Sequence, residues 1–196
     1  MIDLVPAARR TGELVAGITD EQLAERTPCP KYSLGDLLDH VDGLAQAFTN
    51  AATKHVPADR GPSPSGHASR LEDGWRTRIP DRLLAMAQAW RDPAAWQGAT
   101  AAGGVDLPGE IAGLVALNET LVHGWDIAQA VRQPYDVEPE WAEECIRVMG
   151  PRPGEERPVG DDVAFGRPLD AAADASPLDR LVATMGRDPS WAAPSS

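Results

Sequence analysis

Residues 111–131, IAGLVALNETLVHGWDIAQAV, contain no proline and only two glycines. Their apolar side chains recur at helical spacing, so the stretch reads as one long buried helix. At roughly 100° per residue, Leu114, Leu117, Leu121, Trp125 and Ala128 fall on one side, a stripe that needs a core to cover it. Glu119, His123 and Asp126 lie together on its flank. A Glu-x-x-x-His spacing stacks a carboxylate and an imidazole one turn apart, the separation at which two side chains can share one metal ion. A third ligand has to come from elsewhere in the chain.

The chain has 196 residues, 42% of them hydrophobic, enough to bury a core without disulfides or metal staples. One helical domain spanning residues 1–196 is the expected organisation. A formal net charge of -12 would be repelled by nucleic acid and by anionic membranes, so neither is expected as a partner. No apolar run reaches the ~20 residues needed to cross a bilayer, and the N-terminal MIDLVPAARR lacks a signal-peptide core. Together these predict a cytoplasmic protein. Cys29 and Cys145 make neither a C-x-x-C pair nor a disulfide framework, and both read as buried thiols.

Working outward from the central stretch, five further helical segments appear. Residues 4–23 read as a helix or helix pair with its weak point at Gly17 and Thr19, and Pro28 and Pro30 end it. Ser33 is the N-cap of a second helix, followed three residues on by Asp36. Its stripe is Leu34, Leu37, Leu38, Val41, Leu44, Ala45 and Phe48, with His40 at the edge. Residues 54–70 are rich in Pro, Ser, Gly and Arg and read as a mobile loop. A third helix is expected from about Pro80 to Trp90, with Ile79, Leu83, Leu84, Met86 and Ala87 as core. The glycine-rich 92–108 connector has room for a short hairpin. Residues 138–149 form another helix opened by Pro139, and after a proline-rich tail a small helix ends at Gly186. The pattern is all-α: a four-helix bundle with long crossover connections, a possible hairpin and a small extra C-terminal helix.

The chemistry-bearing set is His40, Glu119 and His123. Two imidazoles and a carboxylate suit zinc, nickel or iron, and three protein ligands leave one coordination position open. On spacing alone the same residues read more readily as hydrogen-bonded polar groups at the edge of a core. Asp126 shares a flank with His123, and Asp36 lies one turn before His40, so each is placed to accept a ring N–H. Asp126 is the candidate catalytic residue, as an orienting group or a proton acceptor. His55 and His67 fall in the polar loop and are poor ligands. Ser33 is a cap, Gly103-Gly104 lacks a phosphate-loop lysine, and no G-x-S-x-G element supports a hydrolase triad.

Three segments then fall into a pattern: TPCPKYSLGDLLDH at 27–40, NETLVHGWDIAQA at 118–130 and SPLDRLVATMGRDPSW at 176–191. In that order they resemble actinobacterial metal-binding proteins of the DinB-like superfamily, relatives of the metal-binding domain of mycothiol-dependent maleylpyruvate isomerase. The resemblance implies a four-helix bundle in which His40, Glu119 and His123 hold a divalent metal, commonly zinc. Tyr32 stands where such proteins often have Trp. It also implies an enzyme that uses a low-molecular-weight thiol, mycothiol as co-substrate, to attack an electrophilic small molecule by S-transfer or thiol-assisted isomerisation. The alternative is a metal-binding or sensing protein without turnover. Either reading leaves monomer and homodimer open.

Overall fold

A computed structural model of the chain describes residues 1–55, 64–150 and 165–193. Among these, six helices and one two-stranded sheet form: α1 (Val5–Ala16), α2 (Leu34–Thr53), α3 (Trp75–Ala89), β1 (Ala99–Ala102), β2 (Val105–Pro108), α4 (Gly109–Ala130), α5 (Pro139–Met149) and α6 (Pro177–Thr184). The weak point at Gly17 is real: α1 stops there, and a 3-10 turn over Asp20–Ala24 follows. The 92–108 connector does fold into the hairpin, antiparallel with Ala99 opposite Pro108 and Ala102 opposite Val105.

Helices α1 and α2 each pack against both α3 and α4, so the ring order is α1, α3, α2, α4. The chain therefore crosses the bundle diagonally between α1 and α2 and again between α3 and α4. The second crossing is made by the 3-10 turn over Pro93–Trp96 and the hairpin, which Thr100 ties to α2 by donating its hydroxyl to the Ala51 carbonyl at 2.7 Å. Outside the ring, α5 packs on α4 and α6 packs on α5.

Enclosed by α1, α2, α5 and the connector, α4 is buried on nearly every side. The stripe expected on one face is thus part of a helix that is apolar almost all round, the pattern of a central element. Its polar exceptions Asn118, Glu119, Thr120, His123 and Asp126 are buried with it.

One boundary differs from expectation. Helix α3 starts at Trp75, not at Pro80, which sits inside it. The apolar spacing Trp75, Ile79, Leu83, Met86 extends a turn upstream and overrides the local proline signal, because burying Trp75 and Ile79 outweighs one missing hydrogen bond. The Pro80 ring packs where α1 offers Gly12: a Cβ there would lie 3.2 Å from Pro80 Cβ. Leu84, expected in the core, is only half-buried.

Candidate metal centre

Helix α2 brings His40 to the centre because its start is pinned. The Ser33 hydroxyl accepts the Asp36 amide at 3.3 Å, and Asp36 Oδ2 accepts from the Ser33 amide at 3.1 Å. Asp36 therefore serves the cap and not the imidazole: its other oxygen accepts the Ala68 amide at 2.8 Å. The expectation that it orients His40 is corrected by this geometry, since a carboxylate in the first turn is held by the orphan amides nearest to it.

The group that orients His40 is the Pro64 carbonyl, 2.6 Å from Nδ1. A carbonyl only accepts, so Nδ1 carries the proton and Nε2 keeps a lone pair free to ligate. The second half of the 54–70 loop thus docks on α2; residues 56–63 lie outside the described residues. His67 and Arg70 bind Asp39, and Gly66 passes so close to the Asp36 carbonyl that a side chain would strike it. His55 and His67 themselves are exposed, away from the centre.

Helix α4 supplies the rest. His123 Nδ1 donates to Asp126 Oδ2 at 3.0 Å, leaving Nε2 facing Glu119 Oε2, also at 3.0 Å. That second contact is an ion-pair distance off the hydrogen-bonding axis, so Glu119 Oε2 is buried without a hydrogen-bond partner. The rings of His40 and His123 meet edge to face, centroids 5.0 Å apart. One donor atom from each of His40, Glu119 and His123 falls within 4.8 Å of the other two. A divalent cation fits this arrangement: two imidazoles with their outer nitrogens already engaged, and a buried carboxylate oxygen lacking a partner.

Electrostatics follow from burial. Desolvation, aided by the neighbouring His123, pushes the His40 imidazole down to about 4. Burial acts on His123 in the same direction, but the hydrogen bond to Asp126 and the charges of Glu119 and Asp126 hold it above its ordinary value. Asp126 is fully buried, which disfavours its charge, yet Arg187 and His123 keep its carboxyl below the usual range. Arg187 was not singled out by spacing. Its Nη2 donates to Asp126 Oδ2 at 3.0 Å, and its guanidinium lies over Phe165, whose ring stacks on His123. The sequence paired Asp126 with His123 and pointed to no cation behind it.

Around the centre, the Tyr32 ring packs 5.1 Å from that of His40. A cavity of about 10 Å³ lies beside Glu119 and His123, walled by Val41, Leu44, Phe48, Leu83 and Met86; that is room for one water at most. Cys29 and Cys145 are buried free thiols whose pKa burial raises, the latter to about 12, which disfavours the thiolate at both. No described helix is long and apolar enough to cross a membrane.

Comparison with known proteins fits these features. No solved structure matches the chain. Two curated sequences of Mycobacterium tuberculosis do: the uncharacterized protein Rv0738 of strain ATCC 25618 / H37Rv and the uncharacterized protein MT0763 of strain CDC 1551 / Oshkosh. Each is 30% identical over 188 residues, covering 89% of this chain and 90% of the relative. The model of the mycothiol maleylpyruvate isomerase N-terminal domain matches residues 4–128, which include His40, Glu119, His123 and Asp126. With that match over more than half its length, the chain belongs to the mycothiol maleylpyruvate isomerase N-terminal domain family.

Proposed function

We propose that the protein is a divalent-metal-dependent enzyme that activates a low-molecular-weight thiol of the mycothiol type for attack on an electrophilic small molecule. The observation that carries this reading is the convergence of three buried donors from two helices, with both Nδ1 atoms already engaged. His40, Glu119 and His123 would hold the ion, zinc first among the candidates, with nickel and iron as alternatives. When bound, such an ion supplies Lewis acidity that lowers the pKa of a thiol or water at its open position, giving a nucleophile at neutral pH.

The chain's own residues do the rest. Asp126 accepts the His123 Nδ1 proton, so that ring offers Nε2 in one fixed orientation. The Pro64 carbonyl does the same for His40. Asp126, held ionised by Arg187, could also accept a proton by way of His123. Apolar walls on α2 and α3 exclude bulk water from the donors. In S-transfer by substitution the sulfur–carbon bond would form as the electrophile's leaving group departs with its bonding pair and takes up the thiol proton; in isomerisation the thiol would add to the substrate and later be eliminated unchanged.

The small cavity favours a second reading, a bundle that holds the ion without turnover, because the space beside Glu119 and His123 that α1, α2, α3 and α4 enclose admits about one water. Elemental analysis of protein purified without added metal, followed by incubation with mycothiol and a panel of electrophiles read by mass spectrometry, separates the two. The enzyme reading expects one equivalent of metal and a thiol adduct or isomer, with His40→Ala abolishing both. Full activity in a metal-free variant would overturn it; metal without any turnover would leave the binding protein.

A further inference from the structure

Arg187 lies beyond the stretch matched by the family model, yet it reaches the centre of the bundle. It gets there through the end of α6. Gly186, at φ +79°, donates to the Ala183 carbonyl, and the Arg187 amide donates to the Val182 carbonyl, both at 2.9 Å. This is the Schellman ending, in which a left-handed glycine reverses the chain. The reversal also needs glycine for space: a Cβ on Gly186 would lie 2.7 Å from the backbone of Gly166. The turn aims the Arg187 side chain inward, and its exposure is only 2%.

Once inside, the guanidinium braces His123 along two routes. Nη2 donates to Asp126 Oδ2 at 3.0 Å, Nε reaches Oδ1 at 3.3 Å, and the same Oδ2 takes the His123 Nδ1 proton. That secures the edge of the imidazole. The Arg187 Cζ atom sits 5.5 Å from the centroid of Phe165, and the Phe165 ring stacks on His123 at 6.3 Å. That secures its face. Nη1 is anchored in turn on the Met185 carbonyl at 3.2 Å, so the fork is held at both ends.

We propose that Arg187 is a positioning residue of the metal centre, fixing the direction of His123 Nε2 through Asp126 and Phe165, so that the α6 segment is part of the site. The inference rests on the metal-binding reading above. It differs from a general packing role because a planar fork is required: an ammonium supplies the charge but cannot grip both carboxylate oxygens while lying over a ring.

The test is titration of the metal-free protein with cobalt(II), reading affinity by competition with a chromophoric chelator and coordination by the visible ligand-field spectrum. Wild type, Arg187→Met and Arg187→Lys are compared, with circular dichroism and thermal melting as the check on folding. Loss of an orienting partner typically weakens metal affinity 10- to 100-fold. A loss of that order in Arg187→Met is expected, with an altered spectrum. Arg187→Lys, which keeps the buried cation, is expected to remain folded with a weakened affinity, and it decides the matter if Arg187→Met does not fold. Folded variants that bind cobalt with wild-type affinity and spectrum would overturn the proposal. No cobalt uptake by the wild type would instead overturn the metal-binding reading beneath it.

Discussion

His40 and His123 touch, yet their surroundings push them in opposite directions. Burial lowers His40 to about 4, whereas Asp126 and Glu119 hold His123 above its ordinary value. The signs have separate consequences for the metal-free protein. An unfolded histidine titrates near 6.5, so between pH 6.5 and 4 the unfolded chain takes up a proton at position 40 that the folded chain refuses. Stability from His40 is therefore complete above pH 6.5 and is lost as pH falls toward 4. His123 works the other way: its contribution is complete below pH 6.5 and disappears as pH rises through its raised folded value. Urea denaturation across this range is expected to show His40→Gln losing less stability on acidification than wild type. An equal loss in both would mean that His40 is not held neutral. At this scale the sequence showed the residue types and their spacing, but not the orienting partners. Pro64 lies in a loop without apolar period and Arg187 follows the Gly186 turn, so periodicity announces neither, and of the two readings of Asp36 the cap is the one the structure bears out.

Helices in this chain were legible wherever apolar period and cap agreed. Ser33 with Asp36 marks the start of α2, and Ser33→Ala is expected to cost about 1 kcal/mol, measured by urea or guanidinium denaturation. Where the signals disagreed, packing decided, as at Pro80, which lies within α3 because Gly12 leaves its ring a place. A similar close approach joins α1 and α4. Gly124 faces Thr11 and Tyr135, whose hydroxyls lie 3.0 Å apart, and a Cβ on Gly124 would come within 2.6 Å of Thr11 Oγ1. Gly124→Ala is expected to destabilise by about 1–3 kcal/mol, the usual range for overpacking a close-packed interior. A smaller effect in chemical denaturation would show that α1 can shift away at little cost. The role of Gly124 depends on a tyrosine beyond the end of α4, which helical spacing does not show.

For the molecule as a whole, the bundle was readable and its ring order was not. Spacing shows that α2 and α4 each have an apolar side; it does not show that α1 and α2 sit diagonally, which is what lets α2 and α4 meet over His40 and Glu119. If those donors bind an ion in the folded state alone, free ion at 100 times its dissociation constant stabilises the fold by about 2.7 kcal/mol. Zinc is accordingly expected to raise the melting temperature of the chelator-treated protein, and Glu119→Gln to remove most of that rise while remaining folded. A melting temperature indifferent to zinc in the wild type would count against the centre.

The three donor residues are 9%, 8% and 2% exposed. An ion seated among them has almost no solvent-facing path, so its departure is tied to local opening of the helices rather than to ligand exchange at the surface. Tracer replacement by an isotope in solution should then be slow under native conditions and accelerate with mild denaturant, making the centre behave as a kinetic trap whatever its equilibrium affinity.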